Sequence, residues 1–153
     1  MPRGTATPPN LDRLMELSKE DRAYIAGFFD GEGWVSLSVA RSGSQKKERA
    51  FVIVGIAQKQ VSVLTWIHSL FGGTLFLNVR NDRGYSLSDG SIHRWSIAGR
   101  EHVRTFYQVI RPYMRMKGDK FDLVMRAVLD PSMTGEEAKE LASEVRKLKV
   151  VGE

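Results

Sequence analysis

The nine residues Ile25-Ala26-Gly27-Phe28-Phe29-Asp30-Gly31-Glu32-Gly33 constrain this chain more than any other stretch. They begin as an apolar helical pattern and finish in two acids alternating with glycine. A helix C-terminus already carries partial negative charge, so carboxylates there are disfavoured unless a cation relieves them. Gly31 and Gly33 let the backbone turn sharply at that point. Upstream, Ala23, Gly27 and Gly31 stand four apart, on one stripe of the helix. That stripe has almost no side chain, so a second helix can approach it closely. The same residues also suit a plain exit from a helix into a turn, or tight packing inside a core.

The length of 153 residues and the hydrophobic content of 42% suit one domain with its own core. Apolar runs such as 51–57 are too short to cross a bilayer. No basic-then-apolar leader opens the sequence, so an intracellular setting is expected. The chain has no Cys, which removes disulfides and thiolate zinc sites. His68, His93 and His102 are scattered without zinc spacing and read as packing or surface residues. The net charge of +5 is unevenly placed. Residues 41–120 hold 14 Lys/Arg against 5 Asp/Glu, a balance of +9, and the remainder holds 9 against 13, a balance of −4. A basic middle suits a polyanion such as nucleic acid, although a solvated basic face with no partner has the same composition.

Residues 1–17 form a segment expected to be flexible, Pro-, Thr- and Gly-rich at its start, with a short helical lead-in over 11–17. Residues 18–153 read as a single domain. Ser18 followed by Asp21 is a helix-start signature, and the helix runs to Asp30. Period-two alternation marks strands over 34–40 and 51–57, separated by a polar turn. A helix over 61–71 ends at Gly72-Gly73. Strands over 74–80 and 93–97 follow, then a helix over 100–110 that Pro112 breaks, and helices over 118–129 and 134–148. The order is αββαββα with extra C-terminal helices, an α+β class with an antiparallel sheet.

The motif and this order together resemble the LAGLIDADG homing endonucleases. The chain carries one copy of the motif, and Met116-Lys117-Gly118-Asp119 does not supply a second. The resemblance implies half an enzyme. Two copies would pair through Ala23, Gly27, Asp30 and Gly31 about a two-fold axis. The homodimer would make a metal-dependent double-strand break in a long pseudo-palindromic DNA site, as enzymes of intron homing do. Glu32 would be the metal ligand, joined by the Gly31 carbonyl. Mg²⁺ is the expected ion, since it takes few carboxylates and completes its octahedron with water and phosphate, and other divalent metals would substitute. Many relatives carry Asp where this chain has Glu32; the carboxylate is kept. Asp30 takes a structural role at the helix pair. Gln58 matches a polar position that orders metal-site water. Lys117 matches a basic position beside the scissile phosphate, where it would stabilise developing charge; its plain reading is a solvated lysine in a basic loop. The implied setting is a prokaryotic cytoplasm, archaeal included, or an organelle.

An antiparallel sheet can bury one face and expose the other. Val35, Leu37, Val39, Val52, Val54, Ile56, Leu75, Leu77, Val79, Trp95 and Ile97 are expected to face the helices. Ser36, Ser38, Arg49, Asn78, Arg80, Arg94 and Ser96 fall on the other face, together with Phe51, Ile53 and Phe76. Arg can fork onto guanine, Asn onto adenine and Ser onto several base edges in the major groove. Arg41, Lys46, Lys47, Arg83 and Lys120 complete the expected DNA-binding set, mostly on phosphates, which give affinity and register.

Two alternatives stand beside this reading. One is an intron maturase or a non-cleaving DNA-binding protein of the same fold, disfavoured by the joint presence of Glu32, Gln58 and Lys117. The other is a structural α+β domain that dimerises through its first long helix, against which the +9 segment counts. An EF-hand fits poorly, because the twelve-residue ligand ladder is absent.

Overall fold

The computed structural model describes residues 3–4, 9–42, 47–79 and 92–148. Its elements are β1 (Arg3–Gly4), α1 (Leu11–Met15), α2 (Lys19–Glu32), β2 (Gly33–Ser42), β3 (Lys47–Gln58), α3 (Val61–Phe71), β4 (Thr74–Val79), β5 (Ile92–Ile97), α4 (Arg100–Ile110), a 3₁₀ turn (Arg111–Tyr113), α5 (Gly118–Leu129) and α6 (Gly135–Lys147). The sheet order is β1-β4-β5-β3-β2, with every neighbouring pair antiparallel. From α2 onward this is the αββαββα arrangement with further C-terminal helices. In the leading segment, Arg3 and Gly4 pair with Leu75 and Thr74, and Leu14 is buried. Among the described residues no helix is long and apolar enough to cross a membrane.

Local chemistry explains the start of α2. The Ser18 hydroxyl accepts the Asp21 N–H at 3.0 Å, and Glu20 and Asp21 sit in the first turn, where acids favour the helix dipole. The sheet is covered on one side only. Val52, Val54 and Ile56 are buried while Phe51 and Ile53 are exposed. The helices close the covered side around a fully buried aromatic cluster. Phe106 of α4 is its hub, with ring centroids 4.9 Å from Phe71, 5.1 Å from Trp95 and 5.3 Å from Phe29. The Phe71 and Phe29 contacts are edge-on, the geometry ring quadrupoles prefer. Trp95 keeps its indole N–H satisfied by donating to the Gly72 carbonyl at 2.8 Å.

Two features depart from the expected pattern. The first hairpin is longer, because β3 starts at Lys47 and β2 reaches Ser42. At this end the Glu48 carboxylate takes the Lys139 ammonium of α6 at 2.7 Å, and α6 packs against both β2 and β3. Leu77, expected to face the helices, is 41% exposed. A one-residue register shift lies between Phe76 and Val79, and such a bulge breaks the alternation that placed Leu77 inward.

Candidate active site and nucleic-acid interface

The end of α2 is set by Phe29. Its ring occupies the place where a Cβ on residue 33 would stand, so only glycine fits there. Gly33 is buried, donates its N–H to the Phe29 carbonyl and passes directly into β2. This tight helix-to-strand junction leaves Gly31 and Glu32 exposed at the helix end, where the last carbonyls lack intrahelical partners.

Asp30 is 6% exposed. One carboxylate oxygen accepts the Arg115 N–H at 2.7 Å and the other accepts the Lys117 N–H at 3.0 Å. The Lys117 ammonium in turn donates to the Gly33 carbonyl at 2.7 Å. Three hydrogen bonds therefore bind the 115–117 turn to the junction, and Lys117 arrives one residue from Glu32. Both oxygens of Asp30 are occupied inside the chain, which serves a structural role there and leaves Glu32 as the acid facing outward. Gly33 pairs with Ile56, so Gln58, two residues on, stands at the same end of the sheet. Its side-chain oxygen accepts the Lys59 N–H at 2.8 Å. His93 pairs directly across from Gln58. Spacing gave no hint of that placement; only the β3–β5 register reveals it.

Among the described residues, no group of three or more His, Asp or Glu side chains could hold a metal ion. One exposed carboxylate and a helix-end carbonyl do fit a hard cation such as Mg²⁺, which takes few protein ligands. The rest of such a shell would come from outside this chain.

Ala23, Gly27 and Gly31 are all exposed along α2. A Cβ built on Gly27 or Gly31 would meet nothing within 4 Å. Among the described residues, packing therefore does not require glycine at either position. Tyr24, 52% exposed, stands beside the stripe.

On the open face of the sheet, the register sets the rows. Ser36 lies opposite Ile53, Ser38 opposite Phe51 and Ala40 opposite Arg49. Ser96 lies between Gly55 and Thr74, and Arg94 between Ala57 and Phe76. The Arg94 guanidinium stands 4.8 Å over the Phe76 ring, a cation–π contact that narrows its orientation. The Ser36 hydroxyl donates to the Ile53 carbonyl at 3.3 Å. Lys47 is exposed opposite Ser42 on the same side. Arg41 is placed differently: it is opposite Glu48, 3.9 Å from its carboxylate, and shares the helix-covered side with Val35 and Leu37. Lys120 lies in the first turn of α5, three residues beyond Lys117. The backbone of Asn78 belongs to β4, but its side chain, and Lys46, Arg80 and Arg83 entirely, lie outside the described residues.

A scan against protein-family models finds no match, and a search of curated proteins finds none either. Solved structures do match. The homing endonuclease I-CvuI, in complex with its target in the presence of calcium, superposes with a TM-score of 0.65 at 22% identity, over 83% of this chain and 80% of that one. The archaeal intron-encoded homing endonuclease I-Vdi141I, complexed with DNA, gives 0.63 at 19% identity, over 88% of this chain and 87% of that one. The LAGLIDADG homing endonuclease I-GzeII, with its DNA target, gives 0.57 at 16% identity, over 82% of this chain but 43% of that one. The chain thus has the fold of the LAGLIDADG homing endonucleases, built around a single motif whose last acid is Glu32.

Proposed function

We propose that this chain is one half of a site-specific homing endonuclease, in which two copies pair along α2 and cut both strands of a long pseudo-palindromic DNA site. One observation carries this reading. The Lys117 ammonium bonds the Gly33 carbonyl, next to Glu32, at the end of a helix whose Gly27 and Gly31 meet nothing within 4 Å among the described residues, and Gln58 lies at the same end of the sheet. The match spans most of I-CvuI and of I-Vdi141I but under half of I-GzeII, which supports a single-unit chain that needs a second copy.

The sheet supplies the reach. The ten residues of β2 extend about 33 Å at ~3.3 Å per residue. That is roughly ten base pairs at ~3.4 Å each, and a two-fold axis doubles it. The open face offers Ser36, Ser38, Arg49, Arg94 and Ser96 to base edges and Lys47 to phosphate. Asn78, Arg80, Lys46 and Arg83 belong to the same set by sequence alone.

At the centre, Glu32 of each subunit, with the Gly31 carbonyl, would hold the divalent ion, Mg²⁺ by preference. Such an ion supplies an activated water and charge stabilisation on the oxygens of the scissile phosphate. Lys117, held by its bond to Gly33, places positive charge beside the developing negative charge. Gln58 offers an amide to orient water.

The test is incubation with Mg²⁺ and the uninterrupted form of the host DNA locus. The wild-type protein gives one double-strand cut, and Glu32→Gln binds that DNA without cutting it. Absence of a specific cut with any divalent metal, or full activity in Glu32→Gln, overturns the proposal.

A further inference from the structure

We propose that Asp30 is a positioning residue for Lys117, fixing the backbone of the 115–117 turn so that the Lys117 ammonium stays beside the Glu32 junction. This rests on the cleavage role given above to Glu32 and Lys117. Removing a carboxylate from water is costly unless hydrogen bonds satisfy it, and Asp30 is satisfied by two amides of one turn, Arg115 and Lys117.

The rest of that turn has other anchors. Arg111 at its start is gripped by Asp122, Tyr113 lies 5.1 Å under the Arg22 guanidinium, and Met114 is buried. Arg115 and Met116, by contrast, are exposed. Their side chains do not hold the segment in place. The Lys117 carbonyl accepts the Phe121 N–H at the start of α5, and the hydrogen bonds to Asp30 tie the Arg115 and Lys117 amides, and with them the root of the Lys117 side chain, to the end of α2. The motif's first acid thereby sets the distance between its last acid and a lysine 85 positions later.

An asparagine has the same size but one acceptor oxygen, so one of the two amides loses its partner. Asp30→Asn should speed hydrogen exchange at the Arg115 and Lys117 amides by about tenfold. This readout needs neither metal nor DNA. Cleavage is measured on the duplex that the wild-type protein selects from a randomised, two-fold symmetric DNA library. Asp30→Asn should lower the rate at saturating DNA by about 10–100-fold, the scale of losing an orienting partner, and leave affinity in Ca²⁺ unchanged. In a Lys117→Met background the same change should cost less than about twofold, because the two residues act as one unit.

A wild-type rate in Asp30→Asn, or an equal loss with and without Lys117, overturns the proposal. If Asp30→Asn does not fold, Asp30→Glu serves, keeping both acceptors but displacing them by one methylene. It should slow cleavage with DNA affinity kept, and full-rate cleavage by it overturns the proposal. A wild-type protein that cuts no DNA fails the cleavage reading instead, and amide exchange still reports on the clamp.

Discussion

Arg111 grips Asp122 through two nitrogens, Nε at 2.6 Å and Nη2 at 2.8 Å, across the turn that joins α4 to α5. The Tyr107 hydroxyl donates to the same carboxylate at 2.5 Å. The hydrogen bonds from Arg111 hold the Asp122 carboxyl below the usual range, against the opposite pull of burial. A depressed folded value stabilises the protein above the unfolded value near 3.9 and is lost as pH falls through the folded one. Asp122→Asn should therefore destabilise at neutral pH by about 1 kcal/mol, a modest figure because the pair is part-exposed and screened. Urea unfolding as a function of pH should show the gap to wild type narrowing below about pH 4. Burial, with the Asp122 bond second, raises the Tyr107 hydroxyl above its ordinary value. Its contribution is complete below about pH 10 and is lost as pH rises through the higher folded value.

Gly27→Leu separates folding from pairing. Among the described residues nothing lies within 4 Å of a Cβ at that position, and Gly27 is exposed, so a larger side chain starts into open space within one subunit. Removing glycine from a helix interior even favours the helix, by up to ~1 kcal/mol. Thermal melting should hold or rise while sedimentation shows a monomer, and cleavage disappears with the dimer. A Gly27→Leu protein that still sediments as a dimer would remove the α2 stripe from the interface.

Gly55→Val should act in the opposite way. A Cβ on Gly55 would stand 2.5 Å from the Trp34 ring and 2.7 Å from the Trp95 carbonyl. Both neighbours belong to paired strands, so relief is limited and the cost is about 1–3 kcal/mol. The melting temperature should fall, and tryptophan fluorescence should report a displaced Trp34.

Salt and sequence dependence should divide the residues proposed to face DNA into two kinds. Lys47→Ala should reduce the slope of log affinity against log salt by about 1 per subunit, with base preference unchanged. Arg94→Ala should relax preference at one base pair in each half-site, at a cost of about 1–3 kcal/mol. A uniform loss across all sequences for Arg94→Ala would assign it to phosphate instead.

Elements and motif were legible because their signals are local. The alternation through Val35, Leu37 and Val39 marks a strand wherever it ends, and the acids after Phe29 mark a helix end. Arg41 was not legible, because its side depends on the strand continuing past Ala40, and that continuation follows from pairing with residues 47–49 of β3, which a polar run does not signal. The Asp30 contacts span 85 and 87 positions, so no window of sequence contains them. Leu77 illustrates the same limit, since its exposure follows from one extra residue in β4 rather than from its own pattern.

The brace beneath the first hairpin has a wider consequence. Beyond the pairing of Val54 with Ile97, β3 has β2 as its sheet neighbour, and a two-stranded ribbon alone is marginal in water. α6 makes that ribbon stiff from below, far from Glu32. In the proposed function, reach and chemistry would then rest on different parts of the fold. Under the proposed cleavage role, changes in α6 would act on the stretch of DNA that the hairpin meets while leaving the end of α2 as it is, so such a chain could shift to a new address with its reaction intact.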